Sequence, residues 1–241
     1  KINEAYILIN STKIEEISEV RKQDYLQLKA KCFEEFKKFE EAYDCFERSN
    51  LLAKRSNEYA RYNSETYFQS LKDNLTKLKS SSSQALNIKP AKKIKFNPVF
   101  LIGFPRSGTT LLDTILRSHS KIEVVEEQPI LETTKNFLKE FGYDGIYAKP
   151  LSAKLLSQSR NIYQGEFEKY IPKINSRSVY VDKLPLNLFE ASLIQQLYPN
   201  AKFILALRHP MDTILSCWMQ NFKLNAAMAN MIDPERVVEF Y

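Results

Sequence analysis

The string FLIGFPRSGTTLLDTIL has the residue types of an anion-binding loop. The apolar run VFLIG predicts a strand, and a helix is predicted from about Gly108. Gly103 and Gly108 allow the backbone between them to turn sharply and to present its N–H groups inward. The predicted helix directs the positive end of its dipole at the same point. A phosphate group would therefore fit this loop.

The residue after the second glycine distinguishes two kinds of phosphate chemistry. The G-x4-G spacing of Gly103 and Gly108 matches the P-loop of nucleoside triphosphatases. Those loops continue with a lysine that reaches the β and γ phosphates, but Thr109 stands in its place here. Arg106 lies inside the loop instead. This favours a ligand whose 5′ group is shorter than a triphosphate and needs no Mg²⁺-bound γ-phosphate.

Further polar residues follow later apolar runs of the chain. The run IEVVEE ends in Glu126 and Glu127, SVYVDK ends in Lys183, and KFILALR ends in Arg208. Ser216 lies eight residues beyond Arg208, on a helix predicted to start near Pro210. Ligands of open parallel sheets bind outside the carboxyl ends of the strands. We therefore expect these side chains to meet at that edge of a sheet.

The elements that carry these residues alternate between short apolar runs and helical segments after Asn97. Such alternation predicts strands of a parallel sheet that helices cover on both faces. The predicted fold class is therefore α/β, with a P-loop-like parallel sheet flanked by helices. An α-helical segment precedes it.

That preceding segment has helical periodicity in two halves over residues 25–54. Small Ala30 and Ala42 would let two helices approach closely, while Phe33 and Phe46 fill the groove between them. The spacing resembles a tetratricopeptide repeat (TPR), whose period is about 34 residues; an ordinary helical hairpin is the alternative. Since one repeat has little core of its own, the segment is expected to pack on the domain that follows.

Three regions follow from these patterns. Residues 1–80 form the TPR-like segment, residues 81–97 a linker rich in serine and lysine, and residues 98–241 the P-loop-like domain. Because the chain stops at DPERVVEFY, the last domain is expected to be incomplete at its C-terminus. Because it begins without Met, an upstream piece is expected to have been removed.

Composition narrows the functional classes. A net charge of +6 and a pI near 9.0 suit an anionic cofactor, but charges of both signs run through the whole chain, so nucleic acid is not indicated. Three cysteines without CxxC spacing favour neither a disulfide framework nor a zinc site, which predicts a reducing, cytoplasmic location. No apolar run approaches the roughly 18 to 20 residues that span a bilayer.

The string PRSGTT after a strand resembles the 5′-phosphosulfate loop of sulfotransferases that use 3′-phosphoadenosine 5′-phosphosulfate (PAPS). The resemblance extends over about residues 99–222 and, with the helical repeat, is closest to TPR-containing sulfotransferases related to the tyrosylprotein enzymes. It implies transfer of a sulfuryl group from PAPS to an acceptor hydroxyl, without a metal. It also implies that the 5′ group is bound by Arg106, Ser107, Gly108, Thr109 and Thr110.

The same resemblance gives roles to the other strand-end residues. Arg208 and Ser216 would hold the 3′-phosphate, while Lys183, with Arg106, would stabilise the oxygen that leaves sulfur. Some cytosolic members carry a histidine base after this lysine, but Leu184 stands there here. In the tyrosylprotein pattern the base falls on Glu127, twenty-one positions after the loop arginine.

Three expectations accompany this assignment. Alternation along a strand would send Glu126 and Glu127 to opposite faces, so that only one acid reaches the sulfur. His119 and His209 are expected to be structural or exposed to solvent. The repeat segment favours a protein or peptide acceptor, although small alcohols, phenols and glycans stay open.

Two other functional classes remain as alternatives. A P-loop kinase or nucleotidase would need a magnesium-binding acid, for which Asp182 is the candidate. A degenerate nucleotide-binding TPR module would bind partners without catalysis.

Overall fold

The computed structural model describes residues 2–81, 94, 96–143, 150–171, 174–175 and 177–241. Most of the predicted linker, residues 81–97, lies outside these ranges. The chain divides into two compact units. The first comprises Lys1–Gln69 with Pro210–Tyr241, and the second Ser70–His209. The predicted boundaries at residues 80 and 98 stay predictions.

The first unit begins with helices. These are α1 (Ile2–Ser11), α2 (Glu19–Glu35), α3 (Phe39–Lys54), the short α4 (Asn57–Ala60) and α5 (Ser64–Ser81), which continues into the second unit. Helices α2 and α3 pack on each other and bury Ala30, Phe33, Ala42 and Phe46, the positions that the helical periodicity selected. A helical segment in front of the sheet is thus confirmed, and its identity as a TPR stays a prediction.

The second unit alternates strands and helices. Its elements are β1 (Val99–Gly103), α6 (Thr109–Arg117), β2 (Ile122–Glu126), α7 (Ile130–Lys139), α8 (Ala153–Glu168), β3 (Val179–Lys183), a 3-10 helix (Pro185–Glu190), α9 (Ala191–Leu197) and β4 (Lys202–Ala206). The four strands form one parallel sheet in the order β2-β3-β1-β4. The predicted α/β class with a parallel sheet is confirmed.

Helices cover both faces of this sheet. On one face, Leu101 and Val181 form a small core with Leu112 and Leu116 of α6. On the other face, Phe100 and neighbouring strand residues join a larger aromatic core. Its other members include Tyr163, Phe167, Leu193, Ile194 and Tyr198. Successive strand residues contribute to opposite cores because side chains alternate along a strand.

The last part of the chain, which belongs to the first unit, adds α10 (Pro210–Trp218) and α11 (Pro234–Phe240). Trp218 packs against Tyr43 and Phe46 of α3, with ring centroids 4.7 and 6.2 Å apart, and its carbonyl accepts a hydrogen bond from Asn50 Nδ2 at 2.9 Å. Asp233 caps α11 by accepting from the N–H of Glu235. These contacts join residues far apart in the sequence into one core.

None of the helices in the described ranges is both long enough and apolar enough to cross a membrane.

Candidate active site

The loop after β1 favours glycine at both of its ends. A Cβ on Gly103 would lie 2.7 Å from Ser107 Oγ and 2.8 Å from the carbonyl oxygen of Ala206, so a side chain there would force its neighbours to shift. Gly108 has a φ of +97° at the N-cap of α6, and Arg106 has a φ of +67°. Left-handed backbone is strained for a residue with a Cβ, and such strain is concentrated at functional sites.

The loop contains polar groups that suit an anion. Ser107 is buried, and its Oγ has no hydrogen-bond partner among the described atoms. The first N–H groups of a helix such as α6 lack partners within the helix. A buried hydroxyl without a partner among the described atoms, beside a helix N-terminus, suits the oxygen atoms of a bound anion.

A buried ammonium group lies beside this loop. Lys183, the last residue of β3, has no exposed surface, and its Nζ donates to Glu127 Oε1 at 2.6 Å, to Glu126 Oε1 at 3.1 Å and to Thr110 Oγ1 at 3.4 Å. The structure thus brings together Lys183, Glu127 and Thr110, which the sequence named as site residues. A buried charge requires such partners because leaving water is costly.

Glu126 and Glu127 both contact the Lys183 amine because strand β2 ends between the two glutamates. Glu126 is the last residue of β2, whereas Glu127 has a φ of +50°, and its N–H donates to the Lys183 carbonyl at 2.7 Å. The left-handed residue interrupts the alternation that holds within a strand. The expectation that the two carboxylates face opposite ways is therefore wrong. Both are about half exposed, with 45% of the Glu126 and 55% of the Glu127 side chain accessible.

Helix α6 adds two charged residues that sequence reasoning missed. Arg117 Nε and Nη2 donate to the two oxygens of the buried Asp113 at 2.5 and 3.3 Å. The same Nη2 lies 3.5 Å from Glu126 Oε2. The spacing of four residues between Asp113 and Arg117 is a helical ion-pair signal that could have identified this pair. Its contact with Glu126 depends on how α6 packs on β2.

The structure gives positions for three further residues that the sequence analysis considered. Arg208, two residues beyond β4, donates through Nη1 to the carbonyl oxygen of Arg106 at 3.4 Å, so its side chain reaches the loop. Ser216 lies on α10 in the other unit, and its action together with Arg208 stays a prediction. His119 Nδ1 accepts from the N–H of Lys121 at 3.1 Å in an exposed turn, which is a structural contact.

Asp182 lies on the opposite face of the sheet from its neighbour Lys183. It is 1% exposed, and Tyr163 donates a hydrogen bond to its Oδ2 at 2.6 Å inside the aromatic core. Burial raises the pKa of this carboxyl to about 7, although the Tyr163 hydrogen bond lowers it. A residue so enclosed is poorly placed to bind a nucleotide-bound magnesium ion. In the described part of the chain, no cluster of three or more His, Cys, Asp or Glu residues could hold a metal.

Comparison with known proteins gives a consistent family. The model of the sulfotransferase family matches residues 98–239. An uncharacterised protein of Aquifex aeolicus is 33% identical over 130 residues, 52% of this chain and 17% of the relative. The nodulation protein NoeE of Sinorhizobium fredii is 30% identical over 125 residues, which cover 46% of this chain and 28% of the relative. Protein-tyrosine sulfotransferase A of Caenorhabditis elegans is 24% identical over 128 residues, which cover 49% of this chain and 32% of the relative. The chain thus spans less than a third of each of these relatives.

Proposed function

The chain belongs to the sulfotransferase family, and we propose that it transfers a sulfuryl group from PAPS to an acceptor hydroxyl, with Glu127 as the base. The observation that carries this proposal is the contact of Lys183 with Glu127 and Thr110 beside the loop that holds the buried Ser107 hydroxyl, for which the described atoms offer no hydrogen-bond partner. A cation that hydrogen-bonds both a carboxylate and the first turn of the helix after an anion-binding loop brings together the parts that such a transfer requires.

In the proposed reaction PAPS supplies an activated sulfuryl group, and the side chains of this protein manage charge and protons. Glu127 accepts the proton of the acceptor hydroxyl as the acceptor oxygen forms its bond to sulfur. The bond from sulfur to the bridging phosphate oxygen breaks, and its electron pair stays on that oxygen. Lys183 and Arg106 stabilise the resulting negative charge. The products are the sulfated acceptor and 3′-phosphoadenosine 5′-phosphate.

The cofactor-binding groups divide into two sets in this proposal. Ser107, with the N–H groups of Gly108, Thr109 and Thr110, would bind the 5′ group at the start of α6. Arg208 would bind the 3′-phosphate with Ser216, since an arginine fork can donate two hydrogen bonds to one phosphate. The contact from Arg208 to the Arg106 carbonyl supports this arrangement, because it joins the two phosphate segments.

The acceptor is proposed to be a hydroxyl of a protein or peptide, bound through the TPR-like segment. Two Caenorhabditis relatives bear the name protein-tyrosine sulfotransferase, one of them as putative. A phenol with an ordinary pKa near 10 need not ionise before it reacts, because Glu127 can take its proton while the bond to sulfur forms. A cytoplasmic location is part of the proposal, and its support is the presence of three cysteines without CxxC spacing, a pattern that favours a reducing compartment.

Calorimetry and radiolabelled transfer test the proposal together. Wild-type protein should bind 3′-phosphoadenosine 5′-phosphate in preference to ATP with Mg²⁺. It should also transfer labelled sulfate from PAPS to at least one member of a panel of tyrosine peptides, phenols, alcohols and glycans. A preference for ATP would support a kinase or nucleotidase instead. Nucleotide binding without transfer to any acceptor would support a degenerate binding module.

Two substitutions should separate chemistry from binding. Glu127→Gln should reduce turnover by about 10²- to 10⁴-fold, the usual contribution of a general base, with nearly unchanged nucleotide affinity. Arg208→Ala should weaken binding of 3′-phosphoadenosine 5′-phosphate by about 2 to 5 kcal/mol if the bound nucleotide desolvates the charge pair, because the substitution removes a phosphate partner. The exposed Glu140→Gln at the end of α7 is the matched control and should change neither quantity. Wild-type turnover in Glu127→Gln would show that the base is another residue.

A further inference from the structure

A chain of charged contacts connects α6 to the buried lysine. Asp113 is 3% exposed and binds Arg117 through both oxygens, Arg117 contacts Glu126 Oε2, and Glu126 Oε1 accepts from Lys183 Nζ. A bidentate contact fixes the plane of a guanidinium more firmly than a single hydrogen bond. Asp113, the buried end of this series of contacts, is therefore held by α6, the helix that also begins at the loop after β1.

The two neighbouring glutamates have different sets of partners. Glu126 uses one oxygen for Lys183 and the other for Arg117, so both oxygens contact cations. Glu127 contacts a cation through Oε1 alone, at 2.6 Å from Lys183 Nζ, as far as the described residues extend. An acid held at both oxygens is poorly suited to turn toward an acceptor and take its proton. An acid held at one oxygen can do so.

We propose that Arg117 and Glu126 are a positioning pair, which holds the Lys183 amine at the end of β3 while Glu127 serves the acceptor. The inference rests on the proposed function. Once Glu127 has taken the acceptor proton, its carboxyl is neutral, and Glu126 remains the carboxylate beside Lys183. The pair thus keeps the buried ammonium in place as charge develops on the leaving oxygen. Neither Arg117 nor Glu126 is a catalytic residue in this arrangement.

Steady-state kinetics with PAPS and the best acceptor of the panel test the positioning role. Arg117→Ala and Glu126→Gln should each lower kcat about tenfold, which corresponds to a coupling within the usual range for contacting residues. KM for the acceptor and affinity for 3′-phosphoadenosine 5′-phosphate should stay within about twofold, since neither residue is assigned to binding. Arg117→Lys should recover part of kcat, because it restores the charge but not the bidentate fork.

A double variant separates this role from independent effects. The combined Arg117→Ala and Glu126→Gln variant should be no slower than the slower single variant, because both changes break one chain of contacts. The matched control is Glu123→Gln, three residues earlier on β2 and therefore on its opposite face, with kcat equal to wild type. Multiplied losses in the double variant, or wild-type kcat in both single variants, would overturn the inference.

Thermal unfolding gives a readout that does not depend on turnover. With either glutamate present, Lys183 retains a carboxylate, so Glu126→Gln and Glu127→Gln should each lower Tm only slightly. Removing both leaves an uncompensated buried ammonium, and the double variant should lose more than the sum of the two losses. Additive losses would overturn the inference even if Arg117→Ala failed to fold. A wild-type protein that transfers no sulfate would instead refute the proposed function.

Discussion

Replacing Asp182 with asparagine should make the protein more stable at neutral pH. Asp182 lies on β3, between β1 and β2, and its buried carboxyl faces the aromatic core, where Tyr163 donates to Oδ2 and Oδ1 has no partner among the described atoms. Burial raises its pKa from the ordinary 3.8 to about 7. Asparagine has a similar shape, keeps an oxygen acceptor for Tyr163 and carries no charge to desolvate.

The sign of the effect follows from proton binding. The folded protein keeps a proton on Asp182 up to about pH 7, whereas the unfolded chain loses it near pH 3.8. The folded state therefore binds more protons between these values, and the free energy of unfolding falls as pH rises. The contribution of Asp182 to the free energy of unfolding is fully present below about pH 4 and is lost as the pH rises through 7. At 1.36 kcal/mol per pKa unit, the total loss is about 4 kcal/mol.

Urea denaturation followed by circular dichroism, from pH 5 to pH 8, measures this effect. The difference in unfolding free energy between Asp182→Asn and wild type should widen by roughly 2 kcal/mol from pH 5 to pH 7, in favour of the variant, and then level off towards pH 8. Asp44→Asn, at an exposed position of α3, is the matched control and should follow wild type. A difference that is independent of pH, or that narrows as pH rises, would refute the reasoning.

Two further substitutions test how the loop and the helical unit are held. Gly103→Ala should destabilise the protein by about 1 to 3 kcal/mol, because its Cβ would contact a backbone oxygen at 2.8 Å. Its control, Gly165→Ala, meets nothing within 4 Å in α8 and should stabilise by roughly 0.5 to 1 kcal/mol; equal Tm changes would contradict the steric argument. Trp218→Ala should cost about 3 to 5 kcal/mol in denaturant unfolding, since the ring is 3% exposed against Tyr43 and Phe46. A loss below about 1 kcal/mol would mean that this core is dispensable.

Local sequence was sufficient to predict the loop and the class of fold. Glycine at both ends, a preceding apolar strand and a following helix act over a few residues, so this turn and the strand and helix that flank it can be predicted without knowledge of distant contacts. The alternation of apolar runs with helical segments likewise predicts a parallel sheet, because only strands buried on both faces are so uniformly apolar. Glu127, Lys183 and Arg208 lie at the ends of such runs, and the resemblance to sulfotransferases gave these residues their proposed roles.

Tertiary structure alone decided how the site residues meet. Lys183 and Glu127 are 56 residues apart in sequence, and their contact depends on β2 lying beside β3 in the sheet, an order that no local preference determines. The left-handed turn at Glu127 arises where the strand ends, and it overturned the alternation expected of the two acids. The contact of Arg117 with Glu126 and the burial of Asp182 likewise depend on how helices pack on the sheet. Local preferences act between near neighbours in sequence, whereas packing determines which distant side chains share a buried charge.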